Sequence, residues 1–164
     1  MTGPLRAAVI TVSDEVASGA DADRGGPVAF ALLGELGWDV VTAVVPDDAG
    51  AIVAAVRSAI AGGARVVLAS GGTGIGPRDH TPEAIRGMLA FEIPGIAEEI
   101  RRRGLAHTPQ ALVSREVAGV VVGDRPPALV LAVPGSRGGV RDALGVVGDQ
   151  LSYIIDQLDG AGHA

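Results

Sequence analysis

The chain has 164 residues, enough for one domain with a substantial core, and a hydrophobic share of 48% that argues against disorder. A net charge of −6 and an aromatic content of 2% argue against nucleic acid as the main partner, which needs a basic footprint and stacking platforms. Cysteine and lysine are both absent, all 13 basic residues being Arg, which excludes disulfides, cysteine nucleophiles, Schiff-base chemistry and the lysine of a P-loop.

In chain order, the opening stretch Met1-Thr2-Gly3-Pro4-Leu5-Arg6 lacks a signal-peptide pattern. No apolar run approaches the ~20 residues that span a bilayer, so the expectation is a soluble cytoplasmic protein with no membrane partner. Residues 5–12 form a nearly uninterrupted apolar run, suited to a strand buried on both faces. Residues 14–26 are polar and glycine-bearing and read as a loop; Pro27 opens a helix to about Leu36, stopped by Gly37. A second strand covers 38–45, an alanine-rich helix 49–61, and a third strand 64–69.

Thr81-Pro82-Glu83 reads as N-cap, N1 proline and first-turn acid of a helix that breaks near Phe91, and another helix spans 94–103. Residues 117–122 and 128–133 are β-rich, and their short Gly-Asp-Arg-Pro-Pro connector predicts an antiparallel pair within an otherwise parallel sheet. A final helix runs from about Val140 to Leu158, with Val140, Leu144, Val147, Leu151, Ile154, Ile155 and Leu158 as its apolar stripe and Gly160 as its stop. The pattern predicts one α/β domain over 1–164, in which helices cover both faces of a mostly parallel sheet with one antiparallel strand.

The most informative segment runs from Ser70 through Gly71-Gly72-Thr73-Gly74-Ile75-Gly76 to Pro77-Arg78-Asp79-His80. It joins an apolar strand to a helix start. Glycine lets backbone N–H groups crowd around an anion without side chains in the way. Arg78 suits a phosphate, and Asp79 suits a divalent cation beside it. Two familiar phosphate motifs fail here: no lysine completes a P-loop, and Pro77 stands where the dinucleotide fingerprint needs its third glycine.

Three further polar clusters also end predicted strands: Thr11-Ser13-Asp14, Asp47-Asp48 and Pro134-Gly135-Ser136. Ligands of open α/β sheets bind outside the carboxyl ends of strands, so one cleft is expected to collect all four. Each has a plainer reading. Asp47-Asp48 suits helix capping about as well as a ligand, and the serine clusters suit turns. Arg101-Arg102-Arg103 complements a helix C-terminus, and Arg115 could reach an anion or an acidic neighbour. His80 reads as loop packing, His107 and His163 lack a ligand cluster, and Ser13 and Ser136 lack a histidine base for a hydrolase triad.

These residues resemble the molybdopterin adenylyltransferase family of molybdenum-cofactor biosynthesis. The resemblance follows the chain in order through Thr11-Val12-Ser13-Asp14, Pro46-Asp47, Ser70 to Gly74, Pro77-Arg78-Asp79, Thr81-Pro82-Glu83-Ala84, Ile93-Pro94-Gly95, Leu112-Val113-Ser114-Arg115 and Pro134-Gly135-Ser136. It implies a three-layer molybdopterin-binding fold, a homotrimer, and Mg²⁺-dependent transfer of AMP from ATP to the terminal phosphate of molybdopterin, releasing pyrophosphate. It implies Asp47 and Asp79 as the critical, metal-holding acids. Ser13, Asp14, Ser70, Gly71, Gly72, Thr73, Gly74, Arg78, Pro134, Gly135 and Ser136 would line the substrate and nucleotide cleft, and a molybdenum-insertion protein is the implied candidate partner. Position 80 departs from the family pattern, being His where an aliphatic residue is common, and so does Arg137, where proline is frequent; Gly104 stands where relatives carry a polar side chain. The alternative from another class is a catalytically silent pterin-binding or carrier module of the same fold.

Overall fold

The computed structural model describes residues 3–161, so His163 and the first two residues lie outside the described part. Six strands form one sheet in the order β2-β1-β3-β6-β5-β4. β1 (Arg6–Val12) pairs in parallel with β2 (Asp39–Val45) and β3 (Ala64–Ser70), and β3 pairs in parallel with β6 (Ala128–Val133). β5 (Val117–Val121) is the one strand running against the others, antiparallel both to β6 and to β4 (Phe91–Glu92).

Period-two alternation divides the sheet's side chains between two cores. Ala7, Val9, Val66, Leu68, Leu129 and Leu131 face one layer, built from α2 (Gly25–Glu35), α5 (Pro94–Leu105), α6 (Arg137–Val147) and α7 (Leu151–Leu158). Ala8, Ile10, Val12, Val67 and Val130 face the other, against α3 (Ala49–Ala61) and α4 (Thr81–Arg86). Burial on both faces is why the central strands read as apolar runs rather than as alternating patterns. β2 differs. It is an edge strand whose Val41 and Val44 remain 38% and 46% exposed. Among the described residues no helix is long and apolar enough to cross a membrane.

Four expectations change. The stretch 14–26 is not all loop: α1 (Asp14–Ser18) forms there because Ser13 caps it, accepting from Val16 N–H at 3.2 Å. α2 starts at Gly25 rather than Pro27, since its first turn packs so closely that a Cβ on Gly25 would lie 2.6 Å from the Gly135 carbonyl oxygen. The helix from Thr81 stops at Arg86, and the chain then adds the short edge strand β4, where the Phe91 carbonyl oxygen sits 2.4 Å from the point a Gly119 Cβ would occupy. The C-terminal helix begins at Arg137 instead of Val140 and is split by a 3₁₀ turn at Gly148–Gln150. The stripe continues across that break: Val140, Leu144, Val147, Leu151 and Ile155 are all buried on the same core.

Candidate functional site

The chain leaves β1 for one side of the sheet and returns to β3 on the other, which makes the carboxyl ends of β1 and β3 a topological switch point. Local chemistry there sorts the Asp47-Asp48 pair. Asp48 caps α3, accepting from Ala51 N–H at 2.8 Å. Asp47 faces β1: its Oδ2 accepts from Asp14 N–H at 3.0 Å, while Asp47 N–H donates to Asp14 Oδ1 at 2.9 Å. That reciprocal pair ties the ends of β1 and β2 together. Burial holds the Asp47 carboxyl above its ordinary range; the Asp14 N–H opposes this, and the charges of Asp14, Asp79 and Glu15 add to it. Asp14 shifts the other way, mainly through the Asp47 N–H and, with it, Arg78.

Arg78 is not open to an anion in this structure. Its Nε and Nη2 donate to the two Asp14 oxygens, each at 3.0 Å, in a bidentate pair. Both side chains are well exposed, so solvent screens the pair and leaves it easy to open.

The glycine loop after β3 is held from several directions. Gly71 N–H donates to Val133 O at 2.9 Å, which joins the loop to β6. Gly71 has φ +112° and a Cβ there would stand 2.2 Å from Val12 O; Gly72 has φ +67°. Arg115 braces the far side. Its N–H donates to Thr73 O at 2.7 Å, its Nε to Gly74 O at 2.7 Å, its Nη2 to Asp79 O at 3.1 Å, and its Nη1 pairs with Glu83. Arg115 is therefore an organiser of the loop, and its pairing draws the Glu83 carboxyl below its ordinary range.

The two acids singled out by the sequence both lie against the glycine loop, at different glycines. Asp47 Oδ1 lies 3.1 Å from the point a Gly72 Cβ would fill, and Asp79 Oδ2 lies 2.7 Å and 2.9 Å from the corresponding points on Gly74 and Gly76. Asp79 Oδ2 accepts from Gly76 N–H at 2.8 Å. Among the described residues no hydrogen bond occupies Oδ1 of either acid, and no cluster of three or more His or acidic residues could hold a metal without further ligands.

Two hollows adjoin this corner and share Ser136 and Gly138. The larger, of about 640 Å³, is lined by Ser13, Asp23, Ser70, Gly71, Gly72 and Arg137 among others. The smaller, of about 270 Å³, lies between α5 and α6 and includes Ser114, Glu116, His107 and Asp142. Neither is lined by Asp47 or Asp79, although Gly72, whose missing Cβ lies 3.1 Å from Asp47 Oδ1, borders the larger one. Pro134, Gly135 and Ser136 border these hollows; Gly135 packs its missing Cβ 3.2 Å from Gly71 Cα, and Ser136 caps α6 through Gly139 N–H at 3.0 Å. Ser70 is buried and donates to Pro134 O, and Thr73 is buried beside Ser114. Thr81 is fully buried but does not cap its helix; His80 holds that position without a side-chain bond.

Sequence reasoning missed Asp23. It accepts from Thr11 Oγ1 at 2.7 Å and from Gly26 N–H at 2.9 Å, which ties the cleft wall to the first turn of α2. The spacing from an Asp to a helical N–H three residues on was the available signal. Also missed was the buried Glu116, paired with Arg101 at 3.1 Å, so one of the three arginines is structural rather than solvated.

Residues 8–153 match the model of a family described as a probable molybdopterin binding domain. A molybdenum cofactor biosynthesis bifunctional protein of Synechococcus elongatus is 39% identical over 158 residues, covering 96% of this chain but 48% of that protein. The chain thus spans about half the length of that relative. A molybdopterin adenylyltransferase of Pyrococcus furiosus is 35% identical over 148 residues, 90% of this chain and 87% of that one. The crystal structure of the tungsten cofactor synthesizing protein MoaB from the same organism superposes with a TM-score of 0.88 at 30% identity, covering 96% of this chain and 99% of that one. With a family match that spans residues 8–153 and relatives at this level of identity over nearly the whole chain, the chain belongs to the molybdopterin-binding domain family of molybdenum-cofactor biosynthesis.

Proposed function

We propose that this protein is a molybdopterin adenylyltransferase, transferring AMP from ATP to the terminal phosphate of molybdopterin. The observation that carries the reading is the convergence of Asp47 and Asp79 on one glycine loop, each with one carboxylate oxygen held by a backbone N–H and the other uncommitted. A phosphate oxygen of molybdopterin attacks the α-phosphorus of ATP, the bond to the bridging oxygen breaks, and pyrophosphate leaves with the electron pair. The attacking group is already anionic, so no covalent nucleophile or strong base is required. Alignment and neutralisation of crowded negative charge remain to be supplied.

The donor set fits Mg²⁺. It consists of hard carboxylate oxygens with no thiolate, and Mg²⁺ typically takes one or two protein carboxylates and fills its octahedron with phosphate and water. Bound between Asp47 and Asp79, the ion would supply charge neutralisation on the phosphates. The protein's own residues do the rest. The α6 N-terminus, capped by Ser136, and the Gly71-Gly72 turn border the larger hollow, where polyphosphate is placed in this reading. Arg78 swings from Asp14 to a phosphate oxygen, since an exposed ion pair is worth only about 0–1 kcal/mol. The reading takes the protein as a homotrimer, supported by the apolar exposure of edge strand β2, and as supplier of adenylylated product to a molybdenum-insertion protein.

Purified protein with molybdopterin, ATP and Mg²⁺ should yield adenylylated molybdopterin and pyrophosphate. Asp79→Ala should lower turnover by about 100-fold or more while pterin binding persists. A silent carrier is the second reading, favoured by Arg78 being closed on Asp14. It predicts molybdopterin binding with no ATP-dependent product.

A further inference from the structure

Thr81 is the anomaly of this corner. Its residue is 0% exposed, yet its Oγ1 has no hydrogen-bond partner among the described residues. A buried hydroxyl left unpaired is costly, so its retention needs a reason. Serving as a helix cap is not that reason, because Thr81 is already inside α4. Its backbone N–H instead donates to Gly72 O at 3.3 Å, which holds its side chain against the glycine loop.

The point that a Gly72 Cβ would occupy lies 2.5 Å from Thr81 Oγ1 and 3.1 Å from Asp47 Oδ1. A donor without an acceptor and an acceptor without a donor thus flank the same bare face of one glycine. Any side chain at position 72 would stand between them. We infer that Thr81 is a positioning residue, whose hydroxyl closes on Asp47 Oδ1 across Gly72 and fixes that carboxylate's orientation when the site is loaded. Thr81 touches neither substrate nor the reacting atoms. The inference rests on the adenylyltransferase reading for its kcat readout and on the proposed metal site at Asp47 for its Mn²⁺ readout.

Three proteins test it: wild type, Thr81→Val, which keeps shape and removes the hydroxyl, and Thr81→Ser, which keeps the hydroxyl. Because the hydroxyl has no partner in the unloaded protein, Thr81→Val should melt at or above the wild-type temperature. It should nonetheless lower kcat by about tenfold, with KM for molybdopterin little changed, and weaken Mn²⁺ binding, followed by its EPR signal with α,β-methylene ATP, by a similar factor. Thr81→Ser should restore both to within about twofold. Unchanged kcat and Mn²⁺ affinity in Thr81→Val would overturn the inference. So would a lowered melting temperature, which would reveal a structural partner, or a Thr81→Ser variant as impaired as Thr81→Val, which would assign the role to the methyl group. If wild type transfers no adenylyl group, the activity reading falls, and the Mn²⁺ comparison still decides the role of Thr81.

Discussion

Gly71→Ala attacks the loop where backbone meets backbone. At φ +112° the residue lies outside the regions open to an L side chain, which costs about 1–3 kcal/mol. The added Cβ would also sit 2.2 Å from Val12 O, with the Val12 carbonyl carbon at 3.3 Å. No flexible side chain can give way there; the end of β1 or the loop must shift, at a cost of about 1–3 kcal/mol. The expected loss is then about 2–6 kcal/mol of a total that is typically ~5–15 kcal/mol, or a melting point lowered by about 10 °C. Urea denaturation measures it directly. Gly34→Ala is the internal control: Gly34 is an exposed position of α2 with nothing within 4 Å of its would-be Cβ, so Ala there should stabilise by about 0.5–1 kcal/mol. A Gly71→Ala protein within about 1 kcal/mol of wild type would refute the claim that contact between the β1 end and the loop builds the site.

Asp47→Asn should separate stability from activity. The carboxyl's pKa is raised by burial, so the fold favours its protonated form; that contribution is present below the ordinary value of 3.8 and is lost as pH rises through the raised value. At pH 7 the ionised group is therefore a net cost, and the Asn variant should be as stable as wild type or more so, with the difference vanishing at pH values below 3.8, while transfer falls by about 100-fold or more. Thermal melts across pH, paired with the product assay, check both halves. Arg101→Ala should cost about 3 kcal/mol because it strands Glu116, whose side chain is 2% exposed, without its counter-charge. Replacing both by Met should recover most of that loss, as read from urea midpoints.

Much of this protein is legible in its sequence because local chemistry and burial agree there. Buried strands β1, β3 and β6 announce themselves as apolar runs, and the reversal at β5 follows from a connector too short for a crossover. The glycine loop is equally plain, since no ordinary connector needs so many bare positions, whereas Asp47 is singled out by the family resemblance and not by its local chemistry. Asp48, by contrast, proves to be a helix cap, a role that identical chemistry in adjacent aspartates could not separate by sequence.

Tertiary structure alone decided the rest, because it depends on which backbones approach one another. Arg78 closes on Asp14, 64 positions away, and Arg115 reaches carbonyls that only the folded loop presents. Glycines 25 and 119 let a helix and a strand form against neighbours that leave no room for a Cβ. Residue type determined what chemistry was available. Long-range packing determined which groups face each other, and it placed the buried hydroxyl of Thr81 and the carboxylate of Asp47 on the same side of Gly72.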